Sequence, residues 1–80
     1  MENNNIMSER DFCRKVGRSM RQTRRKSKLS PFVVSRRMRV KWPLYRAYEY
    51  GQVPMSAYQL YQFSHATGND KDFIKQIFDE

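Results

Sequence analysis

Apolar side chains recur along this chain at helical rather than alternating intervals. Phe12, Val16, Met20 and Thr23 stand four, four and three residues apart, with Cys13 and Ser19 on the same stripe. That spacing predicts an amphipathic helix from Glu9 to about Lys26, with Arg14, Arg18, Arg21 and Arg25 off the stripe and in water. Ser8, three residues before Asp11, is placed to cap its start. Ser27 to Leu29 reads as a connector. Ser30 followed by Pro31 signals a second start, because proline has no N–H to leave unpaired and its φ is preset. This helix should run from Pro31 to about Met38, with Phe32, Val33, Val34 and Met38 as its apolar surface and Arg36 and Arg37 exposed. After Arg39, Val40 and Lys41 a third helix is expected from Trp42 or Pro43, its inner face formed by Leu44, Tyr45 and Tyr48, with Gly51 as its stop. Gln52 to Met55 forms a loop. Ser56 caps a fourth helix through Thr67 that carries Ala57, Leu60, Tyr61, Phe63 and Ser64 and ends at Gly68. A last helix follows Asp70, with Phe73, Ile74, Ile77 and Phe78 as its apolar residues. Five short helices with no strand pattern predict an all-α domain over residues 8–80, preceded by a disordered, Asn-rich tail over residues 1–7.

Composition narrows what such a domain is for. Eighty residues, 39% apolar and 14% aromatic, suffice for one small core and not two. A lone cysteine, Cys13, forms no internal disulfide and no zinc site, which fits a reducing compartment such as a cytoplasm. No apolar run approaches the length of a membrane span, and no membrane role is expected. The charge is uneven. Sixteen Lys and Arg against eight Asp and Glu give +8, and between Arg10 and Arg46 fourteen basic residues against Asp11 alone give +13. The segments on either side are net acidic. A basic segment of this density in so short a chain points to a polyanion, and nucleic acid is favoured over an anionic membrane because no broad apolar face accompanies the cations. Catalysis is not expected. His65 is the only histidine and sits in no metal-ligand spacing, the carboxylates cluster towards the ends, and no glycine-rich phosphate loop or cofactor motif is present. Cys13 reads as a small core residue.

The stretch from Pro31 to Tyr50, two short helices around a three-residue break, resembles the helix-turn-helix of the Cro and lambda-type phage repressors. The resemblance runs without a gap from Val16 to Gly68. It rests on Arg21, Arg24, Arg25 and Lys26 closing the first helix, Leu29-Ser30, Val34-Ser35, Val40, Tyr45 and Tyr48, and Glu49 two before Gly51. Ser56, Leu60, Phe63, Ser64 and Gly68 continue it. Three positions depart. Pro31 stands where the family commonly has a phosphate-bracing glutamine, Arg39 where the turn often has glycine, and Tyr45 where a small aliphatic is usual. The resemblance implies a five-helix lambda-repressor-like DNA-binding domain with its motif at residues 31–50. Such a domain acts as a Cro-like transcriptional regulator in a bacterial or phage-infected cell and occupies a pseudo-palindromic operator as a homodimer. Lys41, Trp42, Pro43, Arg46 and Ala47 would meet base edges, with Arg46 best suited to guanine. Arg24, Arg25, Lys28, Ser30, Arg39, Tyr50 and Gln52 would meet phosphates. Trp42 is equally readable as a core or dimer anchor. Phe73, Ile74, Ile77 and Phe78 are expected to be covered by the domain's own core or by a partner, and a homodimer seam is the favoured reading. An antitoxin or other protein-interaction module, motivated by that same patch, is the alternative, and RNA binding through basic residues interleaved with tyrosines is a third.

Overall fold

A computed structural model describes residues 6–69 and 71–78. The tail expected over residues 1–7 falls mostly outside these, as does Asp70; Ile6 and Met7 are exposed and carry no regular structure. Five helices follow: α1 (Glu9–Lys26), α2 (Pro31–Met38), α3 (Trp42–Glu49), α4 (Ala57–Ala66) and α5 (Asp72–Phe78). No strand occurs among the described residues, so the domain is all-α.

The helix starts are set by local chemistry. Ser8 Oγ accepts the Asp11 N–H at 3.1 Å, and Ser30 Oγ accepts that of Val33 at 3.2 Å with Pro31 directly after the cap. At α4 the capping is reciprocal, with Ser56 Oγ accepting from the Gln59 N–H and Gln59 Oε1 accepting from the Ser56 N–H, both at 3.1 Å. The four longer helices also end alike. In each, a residue in the left-handed region donates its N–H three residues back, and the next residue donates five back. The left-handed residues are Lys28, Arg39, Gly51 and Gly68, with φ of 59°, 58°, 70° and 70°. The paired bonds run to Arg25 and Arg24, Arg36 and Ser35, Tyr48 and Ala47, and His65 and Ser64.

Only two of these four sites carry the residue that favours the conformation. At Lys28 and Arg39 a Cβ occupies a region that costs an L-residue roughly 1 kcal/mol or more. Their charge, set beside the last carbonyls of α1 and α2, offsets part of that cost. Arg39→Gly is therefore expected to raise the thermal midpoint by about 4 °C or more, corresponding to roughly 1 kcal/mol in a domain this size. A melting curve that is unchanged or lowered would refute the strain at that turn.

The core takes side chains from all five helices: Val16 and Met20 of α1, Val34 and Met38 of α2, Tyr45 and Tyr48 of α3, Leu60, Phe63 and Ala66 of α4, and Phe73 and Ile77 of α5. α1 packs on α3 and α5, α2 on α3 and α4, and α4 on α5. Ser35, small and buried between α2 and its neighbours, donates its hydroxyl to the Val40 carbonyl at 2.7 Å and so ties the α2–α3 connection to α2.

Leu44, assigned to the inner face of α3, is 41% exposed. The buried positions of that helix are Tyr45, Tyr48 and Glu49, an i, i+3, i+4 set in which an acid takes the last place and turns Leu44 outward. Tyr61, assigned to the apolar side of α4, is likewise on the surface, a hundred degrees round the helix from buried Leu60, and Ala57 is exposed with it. Phe73 and Ile77, assigned to a homodimer seam, are sealed inside the domain's own core because α5 lies against both α1 and α4. Of the four proposed seam residues, Ile74 is half-buried and Phe78 alone is largely exposed, with its ring 5.9 Å from that of Phe12.

Candidate nucleic-acid interface

The position of α3 is fixed from behind by α1. Gly17, a buried residue in the middle of α1, brings the two backbones together; a Cβ there would lie 2.4 Å from the Glu49 carbonyl oxygen and 3.0 Å from that of Tyr48. Just beyond this contact, Arg24 reaches across to the buried Glu49 carboxylate as a fork. Its Nε donates to Oε2 at 2.7 Å and its Nη2 to Oε1 at 3.2 Å, while its Nη1 donates to the Leu29 carbonyl at 3.3 Å. The Tyr45 hydroxyl donates to the same Oε2, and Arg21 donates to the Glu49 carbonyl. Both carboxylate oxygens are thus satisfied at a place where an unpaired charge is not tolerated.

The acid–base consequences follow from that geometry. The Tyr45 phenol is pushed far above the ordinary tyrosine range, first by burial and then by its hydrogen bond to Glu49. Arg24 is raised chiefly by its hydrogen bond to Glu49, against the opposite pull of desolvation. Neither group changes its charge near neutral pH.

This arrangement revises two assignments. Arg24, expected to hold a phosphate, is engaged inside the protein, with only 12% of its side chain exposed. Arg21, expected in water, is half-buried. Glu49 was legible in the sequence only as part of the helix closure. The signal that could have found its partner is its isolation: an acid beside two tyrosines, just beyond a segment of dense positive charge, calls for an internal cation.

The outward side of α3 carries most of the residues expected there. Lys41, Pro43, Arg46, Tyr50 and Gln52 are exposed, and Ala47 is half-buried. Trp42 is neither a free reader nor a fully buried anchor. Its ring stacks on Phe32 of α2, with centroids 4.1 Å apart and planes 21° from parallel, and lies 6.1 Å from the Tyr45 ring. Phe32, read in the sequence only as apolar surface, is therefore part of the site. The Arg46 guanidinium sits 6.0 Å from the Trp42 ring centroid and 5.5 Å from that of Tyr50, held between the two faces by cation–π attraction.

No known protein family, curated protein or solved structure matches this chain. The surface must be read from its own chemistry. Arg21, Arg24 and Arg25 of α1, Pro31 and Phe32 of α2, and Trp42, Tyr45, Arg46, Glu49 and Tyr50 of α3 line one groove of about 480 Å³. Its cations are in excess, since Arg24 and Glu49 neutralise each other, and its walls carry aromatic faces. Arg25, Trp42, Arg46 and Tyr50, expected separately as phosphate or base contacts, are brought together there. Lys28, Ser30 and Arg39 are exposed outside this groove, as are Lys41, Pro43 and Gln52.

Other chemistry is thinly furnished. Among the described residues no group of three His, Cys, Asp or Glu side chains could hold a metal ion, and no helix is long and apolar enough to cross a membrane. Cys13 is buried, and its thiol is pushed up by that burial and then by the charge of Glu9, which makes it a poor nucleophile.

Proposed function

We propose that this chain binds double-stranded DNA through a helix-turn-helix of the Cro and lambda-repressor type, with α2 across the groove and α3 directed into it, and that it regulates transcription by occupying an operator. The observation that carries the reading is the division of labour around α3. Its inner side is bolted to α1 through Glu49, while its outer side presents Lys41, Pro43 and Arg46 beside the cationic groove. A base reader must sit on a rigid element, and phosphate grips must surround it. Arg46 is preset by two aromatic faces and takes the role of guanine reader. Arg25, Lys28, Ser30 and Arg39 take the phosphate roles; Arg24 does not. Trp42 acts with Phe32 as a brace between α2 and α3.

Selection from a random duplex pool should return a preferred sequence. Against that site, Arg46→Ala is expected to lose roughly 5- to 150-fold in affinity, equivalent to about 1–3 kcal/mol, and to relax one base pair. Arg25→Ala should weaken all duplexes alike and reduce the salt slope by about one contact. Arg39→Gly should do the same while folding more stably, which separates binding from folding at one residue. Equal binding to every duplex at physiological salt would overturn the reading.

A further inference from the structure

The groove beside α3 draws only on the C-terminal part of α1, yet positive charge runs along that whole helix. Arg10, Arg14, Arg18, Arg21 and Arg25 follow one another at steps of four, four, three and four residues. On an α-helix these positions share an arc of about 80° and form a track about 22 Å long. The arc holds nothing but arginine. Glu9, Asp11, Lys15 and Lys26, the other charged residues near its ends, fall outside it. Arg10, Arg14, Arg18 and Arg25 are exposed, with Arg21 half-buried among them, and the four exposed ones have no carboxylate partner among the described residues. Such a face is costly to the helix, because like charges one turn apart repel, and a surface that serves only solubility intersperses both signs.

The arc is continuous with the groove. α3 ends against the middle of α1, where a Cβ on Gly51 would lie 2.7 Å from the Arg14 Cα. Arg10 and Arg14, with Glu9 beside them, line a hollow of about 590 Å³ shared with Tyr50 and Gln52. Arg21 and Arg25 line the groove with Tyr50 and Arg46. Tyr50, 57% exposed, borders both.

We propose that this arginine face of α1 is a second nucleic-acid contact, a track that grips backbone phosphates of the bound duplex outside the base pairs read by α3. The occupant follows from repeat and charge. One strand of a duplex presents a phosphate about every 3.4 Å of rise, so the track faces about six of them, and each guanidinium can fork onto one. An acidic protein would need carboxylates in matching register over the same length, whereas DNA supplies phosphates in every register. Arg10, Arg14 and Arg18 thereby gain a role that carries no sequence information. The inference rests on the proposed binding of DNA, but its measure is the salt slope rather than base preference.

Replacing the three together (Arg10→Gln, Arg14→Gln, Arg18→Gln) should reduce the salt slope on a random duplex by about 2.7, at about 0.9 per phosphate, so that the parent's advantage shrinks about 40-fold between 50 and 200 mM salt. Preference among selected sequences should be unchanged. Circular dichroism should show the variant folded and melting no lower than the parent, since glutamine sustains the helix and the repulsion between turns is gone. Lengthening a duplex that carries the selected site by one turn on each side should tighten the parent and not the variant. A slope equal to the parent's makes the arc a solvated face and overturns the inference, as do equal gains on lengthening or a variant that loses sequence preference instead. Selection that returns no preferred sequence, with the slope still reduced in the variant, leaves the track standing and removes base reading by α3.

Discussion

Glu49→Ala is expected to destabilise the domain by about 3 kcal/mol or more, because it leaves the largely buried Arg24 guanidinium and the buried Tyr45 hydroxyl without their shared partner. Eighty residues typically hold only about 4–12 kcal/mol in total, so the loss is a large share. Thermal unfolding should shift down by about 12 °C or more. Arg24→Ala should be similarly harmful. The double variant should be less so than the sum of the two, since it leaves neither charge behind. Additive losses would show that the fork in the structure holds little energy. The raised Tyr45 phenol adds a pH signature. The folded state retains a proton that the unfolded chain releases above the ordinary tyrosine range, near 10, so this contribution is complete below that range and fades as the pH rises through it.

The second large effect comes from adding a single methyl group. In an open helix, Gly17→Ala would gain up to about 1 kcal/mol from helix propensity. Here the new Cβ meets backbone atoms of Tyr48 and Glu49, the nearest at 2.4 Å, and no side-chain rotation relieves it. α1 and α3 must move apart, at a cost of about 1–3 kcal/mol or more, and the Arg24–Glu49 fork is stretched with them. Crowding wins, with a net loss of roughly 2 kcal/mol expected in urea unfolding. If the chain binds DNA as proposed, affinity should fall too, as α3 loses its backing. A midpoint that rises would mean that the helices do not approach as closely as described.

These two positions also mark where sequence reasoning stops. The helix starts at Ser8, Ser30 and Ser56 and the stops at Gly51 and Gly68 were legible, because caps and stops are set by neighbours within five residues. The inner face of α1 followed from periodicity, whereas of the four apolar residues expected on α2 only Val34 and Met38 are buried, Phe32 and Val33 being exposed. What escaped was the pairing of distant residues. Arg24 and Glu49 are 25 positions apart, and nothing local distinguishes Arg24 from Arg25, one of which is internal and the other exposed. Gly17 gave no signal of its own, since a glycine within a helix matters only through what crosses it. Phe73 and Ile77 were recognised as needing cover, yet periodicity identifies a face and not what lies against it. Lys28 is legible as a connector cation suited to a phosphate, but its left-handed backbone is not, because that conformation belongs to glycine by preference.

The brace between α2 and α3 has an optical consequence. Trp42 is the chain's single tryptophan, and its indole is packed against Phe32 within reach of the Arg46 guanidinium. Its emission therefore arises wholly from the junction of the two helices, next to the side chain proposed to read bases. Engagement of Arg46 by a guanine, or separation of α2 from α3, would register as a change in colour or intensity from a chromophore the protein already carries, in real time and without a label.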